Sequence, residues 1–145
     1  LIDGNSIFNR AFYGLGRTGD LLKTSSGLYT NAIFGFLNIY FKNLNEEQPT
    51  HVCVAFDRKG KTFRHEQYDL YKANRTGMPD EMAVQFPVLK DVLSAMNVCI
   101  IEKDGYEADD IIGSICKKFG KQGYKTVILT GDRDAYQLID PNVSV

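Results

Sequence analysis

The side chains with the clearest capacity for chemistry are seven acids: Asp3, Asp57, Glu107, Asp109, Asp110, Asp132 and Asp134. Asp3 follows Leu1-Ile2, and Asp57 follows Val52-Cys53-Val54-Ala55-Phe56. Asp132 and Asp134 follow Val127-Ile128-Leu129-Thr130-Gly131, while Glu107, Asp109 and Asp110 come shortly after Val98 to Ile101. Each apolar run therefore delivers acids at or just beyond its carboxyl end. In a parallel sheet those ends share one edge, the edge where open α/β sheets bind ligands. Two unit charges ~4 Å apart repel by about 4 kcal/mol at an effective dielectric near 20. Such a cluster needs protons or cations to neutralise it. An all-oxygen donor set, with no matching group of His and Cys, points to magnesium, with manganese as a substitute, and away from zinc. Two such ions ~4 Å apart suit in-line displacement at phosphorus. Helix capping would explain an isolated acid such as Asp134 or Glu107, but not acids after every strand. On an ideal helix Glu107 and Asp110 share a face, and Asp109 points elsewhere.

A second candidate site is cationic. Within residues 58–75, Lys61, Arg64, Tyr68, Lys72 and Arg75 are spaced by 3, 4, 4 and 3, which puts them on one helical stripe. The stretch begins directly after Asp57 and should overhang the acids, where its cations could hold phosphates. Tyr68 or Tyr71 could stack on an unpaired base. His65 reads as a surface or phosphate contact, and His51 as structural.

The elements that must position these residues are short apolar strands at Leu1-Ile2, 51–56, 98–101 and 126–129, with a fifth beginning at Val143. Helical patterns cover 28–44, 80–96 and 107–119, with Pro79-Asp80 as a start signal. Continuous apolar strands alternating with helices imply βαβ units: an α/β fold with a mainly parallel central sheet flanked by helices on both faces.

The chain's 145 residues suit one domain. Its net charge of −1 excludes a whole-surface attraction to nucleic acid, so any such affinity must be local. Cys53, Cys99 and Cys116 form no metal-binding pair motif and read as buried, reduced thiols of a cytosolic protein. No apolar run reaches the ~20 residues of a membrane span. The opening at Leu1-Ile2-Asp3 reads as the end of a strand and the close at Val143-Ser144-Val145 as the middle of one, so a piece of a longer protein is expected.

The chain resembles the N-terminal part of the 5′-to-3′ exonuclease domain of bacterial DNA polymerase I, within the flap endonuclease superfamily. The matching segments are Leu1-Ile2-Asp3-Gly4-Asn5-Ser6, Ala55-Phe56-Asp57, Thr62-Phe63-Arg64 and Tyr71-Lys72-Ala73-Asn74-Arg75. Gly105-Tyr106-Glu107-Ala108-Asp109-Asp110-Ile111-Ile112 and Thr130-Gly131-Asp132-Arg133-Asp134 complete them, in the family's order. The resemblance implies a three-layer PIN-like (resolvase-like) domain over residues 1–145. It implies a catalytic two-metal site for Mg²⁺ (or Mn²⁺) from the seven acids, and a helical gateway near 61–80. There Lys72 and Arg75 occupy basic positions, with Lys72 counted as catalytic too. It implies 5′-phosphate products from DNA with 5′ ends or flaps, and from RNA primers in hybrids. A cytoplasmic, nucleoid-associated setting and a following polymerase domain go with it. The family's further Asp-rich motif and helix–hairpin–helix module would lie beyond Val145, so weak duplex affinity and impaired cleavage are expected.

Three other classes use related features. A PIN-type ribonuclease shares an acidic edge, a phospho-receiver or phosphatase domain places Asp at strand ends, and a non-catalytic DNA-binding module would show no strong metal site.

Overall fold

The computed structural model describes residues 1–16, 22–58, 60, 62–68 and 77–145. Three parallel strands, β1 (Ile2–Asp3), β2 (Cys53–Ala55) and β3 (Cys99–Ile101), form one sheet in the order β1-β2-β3. The parallel pair β4 (Thr126–Val127) and β5 (Val143–Ser144) lies on the other side of β1. It is joined there by the parallel bridge Ile2–Leu129 and by the Asp3 N–H to Leu129 carbonyl bond of 3.0 Å. Chain order thus runs in opposite directions on the two sides of β1. The point between β1 and β4 is where a doubly wound sheet opens a crevice at its strand ends.

Residues alternate between two faces, as a strand period of two requires. Ile2, Val54, Phe56, Ile100 and Leu129 point into one core, with α1 (Gly4–Gly16), α2 (Asn31–Glu47) and α5 (Gln85–Ala95). Ala55, Ile101, Ile128 and Val143 point into the other, under α6 (Ala108–Gly120). The expected layering of a parallel sheet between helices is what the chain forms.

Several elements depart from their expected bounds. The helix expected over 28–44 runs Asn31–Glu47, because Lys23 and Tyr29 form an antiparallel bridge before it. The expected 80–96 helix divides into α4 (Asp80–Ala83) and α5. Pro87 explains the break: lacking an N–H, it cannot bond the carbonyl of Ala83, and its ring crowds that turn. Helix α1 was not anticipated, since its Gly, Asn and Ser content hides the stripe of Ile7, Phe8, Ala11 and Phe12, all buried. Gly4 opens that helix against the Phe56 ring, where a Cβ would come within 2.3 Å of Phe56 Cε1. Of the cysteines only Cys116 is buried; Cys53 is half-buried and Cys99 exposed, because it starts a strand at the sheet's outer side.

Helix α2 begins at Thr30 without a side-chain cap of its own. The cap is supplied by Gln85, a fully buried amide. Its Oε1 accepts the N–H of Ala32 at 2.8 Å, and its Nε2 donates to Asn31 Oδ1 at 3.0 Å and to the Glu81 carbonyl at 2.7 Å. Such orphan helix amides are costly when buried without a partner. Gln85→Leu should therefore lower unfolding free energy by about 2–4 kcal/mol, measured by urea denaturation. A change below ~0.5 kcal/mol, the range of surface substitutions, would refute the cross-helix cap.

Candidate functional site

The carboxyl ends of the strands open into two adjoining cavities. The larger, about 680 Å³, is lined by Asp3, Asp57, Glu107, Asp109 and Asp132 together with Asn5, Ser6, Asn9 and Tyr13 of α1 and Gly77, Met78 and Pro79. The smaller, about 190 Å³, takes in Asp3, Arg64, Asp109, Asp110, Thr130 and Asp134. Asp3 and Asp109 line both. All seven acids singled out by their spacing are therefore gathered at one edge.

Each acid is held by its local sequence. Asp3, buried at the end of β1, accepts the N–H of Ser6 at 3.0 Å through Oδ1 and the hydroxyl of Thr130 at 2.8 Å through Oδ2. Asp57 follows β2; its N–H donates to Asn5 Oδ1 at 2.8 Å, and its own Oδ1 accepts the N–H of Ala108 at 2.7 Å. That amide lies in the first turn of α6, where the helix dipole favours an anion. Glu107 is the N-cap of α6 and forms a reciprocal capping box with Asp110, whose Oδ2 accepts the Glu107 N–H at 3.0 Å. Asp132 caps the 3₁₀ segment Arg133–Leu138 by accepting the Asp134 N–H at 2.9 Å. Capping thus does account for part of the pattern, at Glu107 and Asp132 instead of Asp134. Because Glu107 precedes the helix, helical spacing does not govern its direction, and Asp109 is not turned away but faces both cavities.

The electrostatics follow from the crowding. Burial raises Asp3 above the ordinary carboxylate range against its two hydrogen bonds, and the charges of Asp57 and Asp132 add to the rise. Asp109 reaches the surface at the cavity mouth, yet is pushed up to about 6. Loss of hydration against the cleft walls is the largest cause, followed by the charges of Asp3, Asp132, Asp57 and Glu107.

The basic stretch fits its expected place only in part. Helix α3 (Phe63–Gln67) ends at Tyr68, whose extended backbone breaks the stripe expected from Lys61 to Arg75. Lys61, Tyr71, Lys72 and Arg75 lie outside the described residues. Tyr68 is exposed and is not among the residues lining either cavity. Arg64 does overhang the acids, but its guanidinium bonds both oxygens of Asp110 at 2.7 Å. His65 turns inward on its own helix: Nδ1 accepts the Thr62 N–H at 3.1 Å and lies 2.9 Å from the Thr62 hydroxyl, so it caps α3. His51 pairs with Thr50 and packs against Tyr124, a structural role as expected.

Three residues that position the acids went unnoticed in the sequence: Asn5, Ser6 and Thr130. Ser6 Oγ accepts the Gly131 N–H at 2.9 Å, and Thr130 Oγ1 accepts the Asp132 N–H at 3.0 Å. The signal was present, since small hydroxyl and amide residues directly after strand ends commonly bond nearby backbone.

Among the described residues, no three His, Cys, Asp or Glu side chains form a ready cage for one ion. The donor chemistry still suits a hard divalent cation. Neither cavity has a thiol or imidazole among its described lining residues, and the lining acids are anionic oxygen donors. A magnesium ion that keeps several waters needs no closed protein cage.

The family model of the 5′-3′ exonuclease N-terminal resolvase-like domain matches residues 1–145. Among curated relatives, DNA polymerase I of Caldicellulosiruptor bescii is 50% identical over the whole chain, which spans 17% of that protein. DNA polymerase I of Geobacillus stearothermophilus is 46% identical, and the chain spans 16% of it. Two solved structures share the fold at about one-fifth identity. T5 5′-exonuclease with bound divalent zinc ions has a TM-score of 0.68, with 98% of this chain and 52% of that one covered at 20% identity. The bacteriophage T5 flap endonuclease, in a pseudo-enzyme-product complex with DNA and metal ions, has a TM-score of 0.65 with the same coverage at 19% identity.

The raised Asp109 carboxyl has a measurable consequence. A carboxyl that binds its proton more tightly folded than unfolded loses stability as pH rises from its unfolded value of 3.8 to about 6. Without divalent metal, Asp109→Asn should melt above the wild type at pH 7.5, and the gap should close toward pH 4. Thermal melts in chelator would show this, and a gap independent of pH would refute the crowding.

Proposed function

The chain belongs to the family of 5′-3′ exonuclease N-terminal resolvase-like domains, and from that premise we propose that it is the catalytic part of a metal-dependent 5′ nuclease acting on DNA. One observation carries the reading: Asp3, Asp57, Glu107, Asp109 and Asp132, drawn from four separate parts of the sequence, line one cavity at the sheet's switch point. The names of the relatives and of the T5 neighbours agree with it.

In this reading Asp3, Asp57, Glu107, Asp109, Asp132 and Asp134 hold magnesium or manganese, with two ions as the expected number. Bound there, such ions would activate water and stabilise the leaving oxygen of a phosphodiester. The protein's own part is positioning. Thr130 and the Ser6 N–H aim Asp3, and the Ala108 N–H aims Asp57. Asp3 and Glu107 are buried, which strengthens their charge interactions, while Asp109 and Asp132 stand toward solvent. The raised Asp109 gives the cleft a carboxyl pushed up to about 6, so cation binding competes with protons there in mildly acidic solution.

The substrate would be DNA with a 5′ end or flap, its phosphates met by Lys61, Lys72 and Arg75, and a base by Tyr68 or Tyr71. RNA primers in hybrids belong to the same substrate class. The chain spans about one-sixth of the polymerases that it matches. In a protein built like them, a polymerase part would follow, and the setting would be cytoplasmic and close to the nucleoid. No helix among the described residues is long and apolar enough to cross a membrane.

A 5′-labelled flapped duplex tests the reading. The chain should bind Mn²⁺ and cleave the flap slowly, releasing 5′-phosphate products, with all cleavage lost in chelator. Asp57→Asn should reduce the remaining rate by at least ~10²-fold, since even outer-shell changes at metal sites cost 10–100-fold. Preference for single-stranded RNA over flapped DNA, or cleavage that persists in chelator, would overturn it.

A further inference from the structure

We infer that Arg64 and Asp110 form a positioning pair, and that Asp110 stands apart from the carboxylates that would hold divalent cations. What the other acids do rests on the nuclease reading above; the pair itself rests on geometry.

The seven acids look alike in sequence but not in their partners. Asp3 and Asp57 accept bonds from neutral backbone amides and a hydroxyl. Asp110 instead meets a guanidinium in the two-pronged geometry that suits carboxylates best, with Nη1 to Oδ2 and Nη2 to Oδ1 both at 2.7 Å. Its Oδ2 also accepts the Glu107 N–H. The pair is sheltered, with the Asp110 side chain 18% and the Arg64 side chain 32% exposed. A cation ligand must offer a lone pair to the ion. Both Asp110 oxygens already face the Arg64 guanidinium, so an ion bound there would bring a second cation against the first, and one of the two oxygens also serves as the helix cap.

The pair also sits where positioning matters. Arg64 lies over the Phe63 ring at 4.6 Å, and the Phe63 N–H bonds the Gly105 carbonyl at 3.1 Å. Helix α3 is thereby anchored to the segment leading into α6. The first turn of α6 holds Glu107, gives its Ala108 N–H to Asp57, and carries Asp109 into the cleft. Arg64 lies 3.8 Å from Glu107 Oε2, so its charge offsets the crowding of that turn as well. The neighbours Asp109 and Asp110 thus divide the work: one faces the cavities' shared centre, and the other fixes the turn that presents it. Arg64, which its place in the basic stretch suggested as a phosphate contact, acts through Asp110.

The test uses Asp110→Asn, Arg64→Ala, their double variant and Asp109→Asn in the same chain, with Mn²⁺ binding counted by electron paramagnetic resonance and melting followed without metal. Asp110→Asn should bind the wild-type number of Mn²⁺ ions, with affinity lowered no more than the ~10–100-fold of an outer-shell change. Asp109→Asn should bind fewer. Arg64→Ala and Asp110→Asn should each lower the melting midpoint, and the double variant should melt no lower than the worse single one. Arg64→Lys should restore part of the loss, since lysine keeps the charge but not the fork. If Arg64→Ala does not fold, Arg64→Lys with Asp110→Asn completes the same cycle. Loss of an ion from Asp110→Asn, or additive losses of stability, would overturn the pair. A wild-type chain that binds no Mn²⁺ would instead sink the nuclease reading and the assignment of ligands, while the melting cycle would still decide whether the two side chains are coupled.

Discussion

Repulsion among carboxylates that the fold forces onto one edge is the constraint to which the rest of the structure answers. The sheet has no alternative place for them. Asp3 ends β1 and Asp57 lies two residues beyond β2, and parallel pairing brings the carboxyl ends of the two strands together. The protein manages part of the resulting charge with its own donors. The Ser6 amide and the Thr130 hydroxyl meet Asp3, the Ala108 amide meets Asp57, and the Arg64 guanidinium meets Asp110 with Glu107 close by. What remains is concentrated at Asp109, whose carboxyl is pushed up to about 6 by lost hydration and by four neighbouring charges. A group so poised is one that either a proton or a cation can relieve.

The supports of this edge are made elsewhere in the fold. Gly4 lets α1 start against Phe56, so Asn5 and Ser6 reach the ends of β2 and the Thr130-Gly131 turn. Two cores hold the sheet from opposite faces. Gln85 ties α2 to the helix beside it through the buried amides at Ala32 and Ile33. These contacts are specific to their partners, which suits a site whose stability is reduced by its own charge. Active sites commonly store such unfavourable energy, offset by packing around them.

How much of this was legible depended on how local the signal was. The acids at strand ends, the parallel α/β layering and the positions of β2 and β3 could be read because apolar runs and charge placement are local patterns. Helix α1 was obscured by poor helix formers, and tertiary packing of Phe8 and Phe12 against the core overrides their propensity. Pro87 broke the long helix at a place that the apolar stripe alone did not mark. The pairing of Arg64 with Asp110, 46 residues away, has no local signature at all. It sets Asp110 apart from the other acids only once the chain is folded. His65 shows the same limit, since a capping role depends on the turn that Thr62 makes.

The acidic edge is proposed as a cation site and not merely a set of helix caps. A crystal structure grown with Mn²⁺ and phased on its anomalous scattering addresses it directly. Anomalous density is expected in the larger cavity, within bonding reach of Asp109 and of at least one of Asp3 and Asp132, with the Arg64–Asp110 contact unbroken. Anomalous density confined to surfaces outside that cavity, or none at millimolar Mn²⁺, would contradict it.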